Sequence, residues 1–200
     1  MVHRLMKSLF CIGVVLLFTA CAASRQTDFY LLKPTLPARS GAVLAQPDST
    51  LFIKAIRLPE YLERPQMIVR DQGHRLRLSE FHRWAEPLRD NFARILAENL
   101  EARMAPQGIA VRSREYRGAA GYELGLEILR FETELNGNAV LKVRWNLLRS
   151  DDHKLLETRT TEYALPLEDN DYESRVAAQS ALVAMLADDI ADRIRRERGD

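Results

Sequence analysis

The stretch from Tyr122 to Leu147 constrains the fold more than any other. Tyr122, Leu124, Leu126 and Ile128 occupy alternate positions, after which the apolar set moves to Phe131, Thr133 and Leu135. Alternation with period two puts one side of a strand against a core. A change of parity near Leu129 predicts a β-bulge, because one extra residue restores the buried face after a slip. Asn136-Gly137 is a tight-turn signal. Beyond it Ala139, Leu141, Val143, Trp145 and Leu147 line one face, with Lys142, Arg144 and Asn146 on the other. A turn at 150–153 and a strand over 154–165 complete a meander with one apolar side that something must cover.

Two segments with helical period can supply the cover. Leu88, Phe92, Ile95, Leu96, Leu100 and Met104 fall on one stripe. Pro87 suits the first turn, Glu86 suits the positive end of the helix dipole, and Pro106 with Gly108 ends the run. Asp90 and Arg94 are spaced to pair on the outer side. Residues 172–197 form the second helix, with Val176, Val183, Leu186, Ile190 and Ile194 as its buried stripe. Alanines 177, 178, 181, 184, 187 and 191 keep its sides thin. Asp189–Arg193 and Asp192–Arg196 read as i,i+4 pairs on a solvated face, and the arginines near the C-terminus suit the dipole.

Shorter strands are expected at 28–32, 51–58, 67–71, 74–78 and 109–113. Gln72-Gly73 marks a hairpin between the third and fourth of these. Residues 33–49 hold three prolines and a glycine and read as a surface loop. The resulting fold class is α/β: a single domain with one mixed β-sheet containing a meander, packed by two long helices.

The N-terminus reads differently. His3, Arg4 and Lys7 precede an unbroken apolar run from Leu9 to Phe18, which is ten residues long. A membrane-spanning helix needs about 20, so the run fits the apolar region of an export signal. Thr19-Ala20-Cys21 closes it, with Leu17 at position −4 and Phe18 at −3 relative to the cysteine. This pattern resembles the bacterial lipobox, in which the cysteine sulfur takes a diacylglyceryl group before cleavage and the new N-terminus is then acylated. On that reading residues 1–20 are a lipoprotein signal peptide, 21–27 a tether and 28–200 the domain. The chain's other cysteine, Cys11, lies in the discarded part, so Cys21 has no intramolecular disulfide partner. Several acyl chains give stable membrane attachment where one does not. Ala22, in place of Asp, suits the periplasmic face of the outer membrane. The seven residues from Cys21 to Thr27 reach roughly 25 Å at most.

Removal of residues 1–20 leaves 180 residues with 27 Lys plus Arg against 28 Asp plus Glu. That near-neutral balance offers no footprint for nucleic acid. No nucleophile elbow, P-loop, HExxH, CxxC or dinucleotide fingerprint occurs. His74 and His153 fall in turns and His82 precedes a helix, none at metal-ligand spacing. No catalytic residue, metal or soluble cofactor is expected.

Two stretches stand out as candidates for binding. LPEYLERPQ at 58–66 sets Tyr61 and Leu62 between prolines 59 and 65, with Arg64 beside them. A stiffened loop can present an aromatic anchor at little entropic cost, or fold the same pair inward to cap the core. HRWAEPL at 82–88 places Trp84 and Glu86 at the start of a helix, either packed beneath its first turn or available to a partner.

LPEYLERPQMIVR, then LSEFHRWAEPL and NFARILAENL, then the Ala-rich YESRVAAQSALVAMLADDIADRI, together resemble the ABC-type transport auxiliary lipoprotein family, the PqiC-like proteins. The likeness runs through nearly all of the mature chain. It implies an α/β fold with a mixed sheet and flanking helices. It also implies an outer-membrane lipoprotein that works with an MCE-domain protein and inner-membrane components to move lipid across the periplasm and support envelope integrity. Pro59, Tyr61, Leu62, Arg64, Pro65, Trp84 and Glu86 are the expected partner-binding residues. Association into homo-oligomers is left open. A stand-alone periplasmic lipid carrier, with lipid in an internal cavity, is the alternative.

Overall fold

The computed structural model describes residues 25–35, 47–71, 73–112 and 121–199. Cys21 and the signal segment lie outside them, as does most of the 33–49 loop. Among the described residues, eight strands and two long helices follow one another. They are β1 (Asp28–Tyr30), β2 (Ser49–Arg57), β3 (Gln66–Arg70), β4 (Leu76–Trp84), α1 (Leu88–Met104), β5 (Ile109–Arg112), β6 (Tyr122–Glu134), β7 (Asn138–Arg149), β8 (Leu155–Pro166) and α2 (Tyr172–Arg198).

All eight strands join one mixed sheet organised around β6. Along one edge β6 pairs antiparallel with β7, and β7 with β8, giving the meander. Along its other edge β6 takes two parallel partners in succession. Its first half holds β2, from Leu51 opposite Tyr122 to Arg57 opposite Glu127. Its far end holds β3, with Val69 opposite Thr133 and Arg70 opposite Glu134. Beyond β2 lies β5, and beyond β3 lie β4 and then β1. A strand of 13 residues is long enough to serve two neighbours end to end.

The parity change in β6 is a bulge, with the register slipping between Ile128 and Arg130. Before it Tyr122, Leu124, Leu126 and Ile128 are buried, and after it Phe131 and Thr133 are. Both helices cover this same face. The Phe92 ring of α1 meets Phe131 edge-on at 5.2 Å, and Arg175 of α2 donates to the Thr133 hydroxyl at 2.7 Å. Every residue of the expected α1 stripe is buried, and so is that of α2. Gly73 and Gly137 adopt φ of +74° and +92° in the β3–β4 and β6–β7 turns, a backbone setting that side chains with a Cβ rarely take.

Several local expectations are corrected. The first strand ends at Tyr30. Residues 31–35 leave the sheet and run between the two helices. Leu32 is buried there, and its N–H donates to Asn91 Oδ1 of α1 at 2.8 Å. The Lys33 N–H donates to Ser180 of α2 at 3.1 Å, and Thr35 reaches Asn99. Burial of a non-sheet backbone requires such partners. Asn91→Leu should therefore cost roughly 2 kcal/mol, because it strands a buried N–H, and urea denaturation will read the loss.

The fourth strand continues from Leu76 to Trp84, so His82 lies in a strand and not in a loop before the helix. Leu78 is exposed there, on the face away from the helices. The anticipated i,i+4 pairs are replaced, partly by tertiary partners and partly by other residues of the same helix. Asp189 accepts from the Tyr163 hydroxyl at 2.7 Å, and Arg193 bonds Glu157, Glu197 and the Leu156 carbonyl. Asp192 pairs with Arg195. Arg94 takes Glu86 and Glu98 rather than Asp90. For Asp189, Arg193 and Arg94 a neighbouring element supplies a partner that a same-helix pair worth only about 0.3–0.5 kcal/mol does not displace. Arg103 and Asp188 tie α1 to α2 through two hydrogen bonds, at 2.5 and 2.9 Å.

Candidate functional site

The two stretches singled out in the sequence are brought together. The 58–65 segment connects β2 to β3 where both lie along β6, and Glu60–Leu62 forms a single 3₁₀ turn within it. β3 then pairs with β4 so that Gln66 lies opposite Arg83. The Trp84 N–H donates to the Pro65 carbonyl at 2.7 Å. Arg89, in the first turn of α1, pairs with Glu63. The proline-flanked loop and the start of α1 therefore form one continuous surface.

Within that surface Tyr61 and Leu62 point apart. Leu62 is 3% exposed and packs with Met67, Trp84 and Phe131 on the helix side. Tyr61 is half-buried and lies over the opposite face, where its hydroxyl donates to Glu132 Oε2 at 2.8 Å. Trp84 is buried beneath the start of α1. Glu86 is half-buried and accepts from Asn91 and Arg94. Pro59 is half-buried, whereas Glu60, Glu63, Arg64 and Pro65 are exposed. The aromatic and aliphatic members of the expected set thus brace the loop, and its solvent-facing rim is polar and proline-stiffened.

Glu132 is the feature that sequence reasoning missed. Its side chain is 0% exposed, on the sheet face away from the helices. Arg70 Nε donates to Oε1 at 2.6 Å and Arg130 Nε to the same oxygen at 3.0 Å, while the Phe131 N–H reaches Oε2 at 3.1 Å. Burial pushes the Glu132 carboxyl up, but the hydrogen bonds from Arg70, Arg130 and Tyr61 together outweigh it and hold it below the usual carboxylate range. The same surroundings, burial first and the Glu132 charge next, raise the Tyr61 phenol and keep it protonated as a donor. The only sequence signal was an acidic residue between Phe131 and Thr133, just past the bulge.

Arg70 and Arg130 also wall an open groove of about 720 Å³, completed by Asp71, Gly73, Glu134, Leu135 and Asn136 at the tips of the β3–β4 and β6–β7 turns. Its lining is mixed in charge and mostly polar, which suits a polar chain segment better than acyl chains. Among the described residues no group of three or more His, Cys, Asp or Glu side chains could hold a metal ion, and no helix is long and apolar enough to cross a membrane. His82 stacks on Tyr172 at 3.7 Å and lies 3.0 Å from the Tyr30 hydroxyl, an aromatic joint between β1, β4 and α2.

Comparison with known proteins decides the family. The model of the ABC-type transport auxiliary lipoprotein component matches residues 30–191, which takes in both stretches, the Glu132 cluster and nearly all of the sheet and helices. The chain belongs to this family. The ABC-type transport auxiliary lipoproteins are lipid-anchored envelope proteins that serve transport complexes, and they are not a known enzyme family. Solved structures agree on the fold. One crystal structure of an uncharacterized protein aligns with a TM-score of 0.72 at 18% identity, covering 85% of this chain and 99% of that one. XCC0632 from Xanthomonas campestris, of family-model DUF330, aligns with a TM-score of 0.63 at 18% identity, covering 88% and 99%. Among curated proteins no significant match was found.

Proposed function

We propose that this auxiliary lipoprotein is the outer-membrane-anchored, periplasm-facing subunit of an MCE/ABC-type intermembrane lipid transport system. Cys21 carries the diacylglyceryl and N-acyl groups. The surface made by the 58–65 loop and the start of α1 docks the MCE-domain partner, with Arg64 and Pro65 at its rim and Pro59, Tyr61, Leu62, Trp84 and Glu86 holding its shape. In this role the protein supports envelope integrity without performing chemistry.

The observation that carries the reading is the joining of the two stretches into one surface whose loop is fixed from below by Leu62 and Tyr61. A surface ordered in advance loses less entropy on docking. A stand-alone carrier gains no support from the core, where Phe92, Ile95, Leu96, Leu100, Leu124 and Leu186 are all fully buried and close-packed.

Affinity capture of an MCE-domain protein from the same organism provides the test. Arg64→Glu/Pro65→Ala alters only exposed positions, so the fold is retained. Capture is expected to weaken at least about tenfold, since reversing a charge at a docking rim costs more than 1.4 kcal/mol. Undiminished capture removes the loop from the interface. Failure of the wild-type chain to capture the partner removes the MCE assignment.

A further inference from the structure

The sheet face turned away from the helices carries apolar side chains near the N-terminal edge. Phe29 is 63% exposed and Leu78 44%, Phe81 is half-buried on the same strand as Leu78, and Leu31, the first residue past β1, is 39% exposed. Strand register gathers Phe29 and Leu78. Phe29 lies opposite Arg83, Arg83 opposite Gln66, and two residues further along β3, Ile68 lies opposite Leu78. Alternate positions of a strand share a face, so Phe29, Arg83 and Leu78 project to the same side. β4 uses five steps between Leu78 and Arg83 where β3 uses two. The surplus is a bulge that brings Leu78 within roughly 7 Å of the Arg83 row along the strand, with Phe81 among the residues it adds. The Arg25 guanidinium sits 5.5 Å above the Phe81 ring. Single exposed apolar residues need no explanation, but a contiguous group does.

We infer that this patch, Phe29, Leu31, Leu78 and Phe81 with Arg25 and Arg83, seats the domain on the surface of the lipid bilayer. The inference rests on the acylation of Cys21 proposed above. Four residue steps separate Cys21 from Arg25 and span roughly 14 Å at most. Acyl chains on Cys21 enter the leaflet within that distance of the Arg25 backbone, and Arg25 already lies on Phe81. The chemistry matches the location. Phenylalanine and leucine side chains insert at the boundary of headgroups and acyl chains, and the two arginines meet lipid phosphates. Glu80 is the exposed carboxylate in the same bulge, outnumbered by the arginines. Asp28 projects to the other face, 3.8 Å from His82. A second copy of the chain on the same patch would have to compete with a membrane that the tether holds alongside it.

Brominated-lipid quenching tests the patch in the acylated protein. Phe29→Trp and Leu155→Trp are made separately, purified from membranes and placed in vesicles of phosphatidylethanolamine and phosphatidylglycerol, with and without dibrominated acyl chains. Leu155 is 56% exposed on β8, at the far edge of the sheet and five strand spacings, or roughly 24 Å, from β1. Native Trp84 and Trp145 are buried and give a common background. After subtraction of that background, Phe29→Trp emission is expected to fall at least about twofold on bromination and Leu155→Trp emission to stay unchanged, as a side chain in the headgroup–acyl boundary requires. Equal responses in vesicle-bound, acylated protein overturn the patch and leave the anchor intact. A dimer seated through β1 gives that same result. If labelled palmitate is not incorporated, or Cys21→Ser incorporates as much as wild type, the anchor reading and the patch fall together.

Discussion

Glu132→Gln is expected to destabilise the domain by about 3 kcal/mol at neutral pH, because removing one member of a buried ionic cluster leaves its partners uncompensated. The carboxylate is fully buried and accepts four hydrogen bonds, from Tyr61, Arg70, Arg130 and the Phe131 backbone. Arg70 and Arg130 keep about a quarter of their side-chain surface in solvent, which places the loss at the lower end for such clusters. The pH dependence follows from the sign of the shift. The folded pKa lies below that of the unfolded chain, which is about 4.3. The carboxylate therefore stabilises the fold above that unfolded value, and its contribution disappears as pH falls through the folded pKa. Urea midpoints of wild type and Glu132→Gln should stand well apart at neutral pH and draw together in acid. A constant gap across the range would mean that the charge is not what Glu132 contributes. The same substitution should loosen the 58–65 loop, since Tyr61 loses its charged acceptor, and amide exchange over Glu60–Glu63 should quicken.

Phe92→Ala should cost more, about 4 kcal/mol, with a thermal midpoint lower by roughly 8–16 °C for a domain of this size. Phe92 is fully buried where α1 crosses the sheet, and its ring meets Phe131 at 87°. Its loss combines the transfer of a large apolar group, an aromatic edge-to-face contact and a cavity that two helices and a sheet cannot close. Phe92→Leu, which retains most of the volume, should recover more than half of the difference. Differential scanning calorimetry on the three proteins decides it. A fall of less than about 1 kcal/mol for Phe92→Ala would mean that the layers can collapse around the gap, against the close packing of interiors.

The meander and both helices were legible because their signal is local. Period two along Tyr122–Ile128, its parity change at Leu129, Asn136-Gly137 and the stripe Leu88–Met104 each lie within a single window, and each has its counterpart in the structure. The other side of the sheet was harder. β1 pairs with β4 across more than fifty residues, and nothing within β1 specifies that partner. The extension of β4 to Trp84 was hidden by its bulge, which scrambles alternation between Leu78 and Arg83. The candidate site was legible as two separate motifs but not as one surface, because their meeting depends on the β3–β4 register. Glu132 was invisible for a related reason. A carboxylate in a strand reads as solvent-facing until the arginines and the tyrosine that surround it, 2 to 71 residues away, are known.

The passage of residues 31–35 between the helices bears on how the domain carries mechanical load. A pull transmitted from the membrane through residue 25 reaches β1 first and then Leu32, Lys33 and Thr35, which are fastened to Asn91, Ser180 and Asn99. Behind that edge strand, tension is handed to two helices at once. Under load from that end, the rim strand would be strained before the layer of helices behind it.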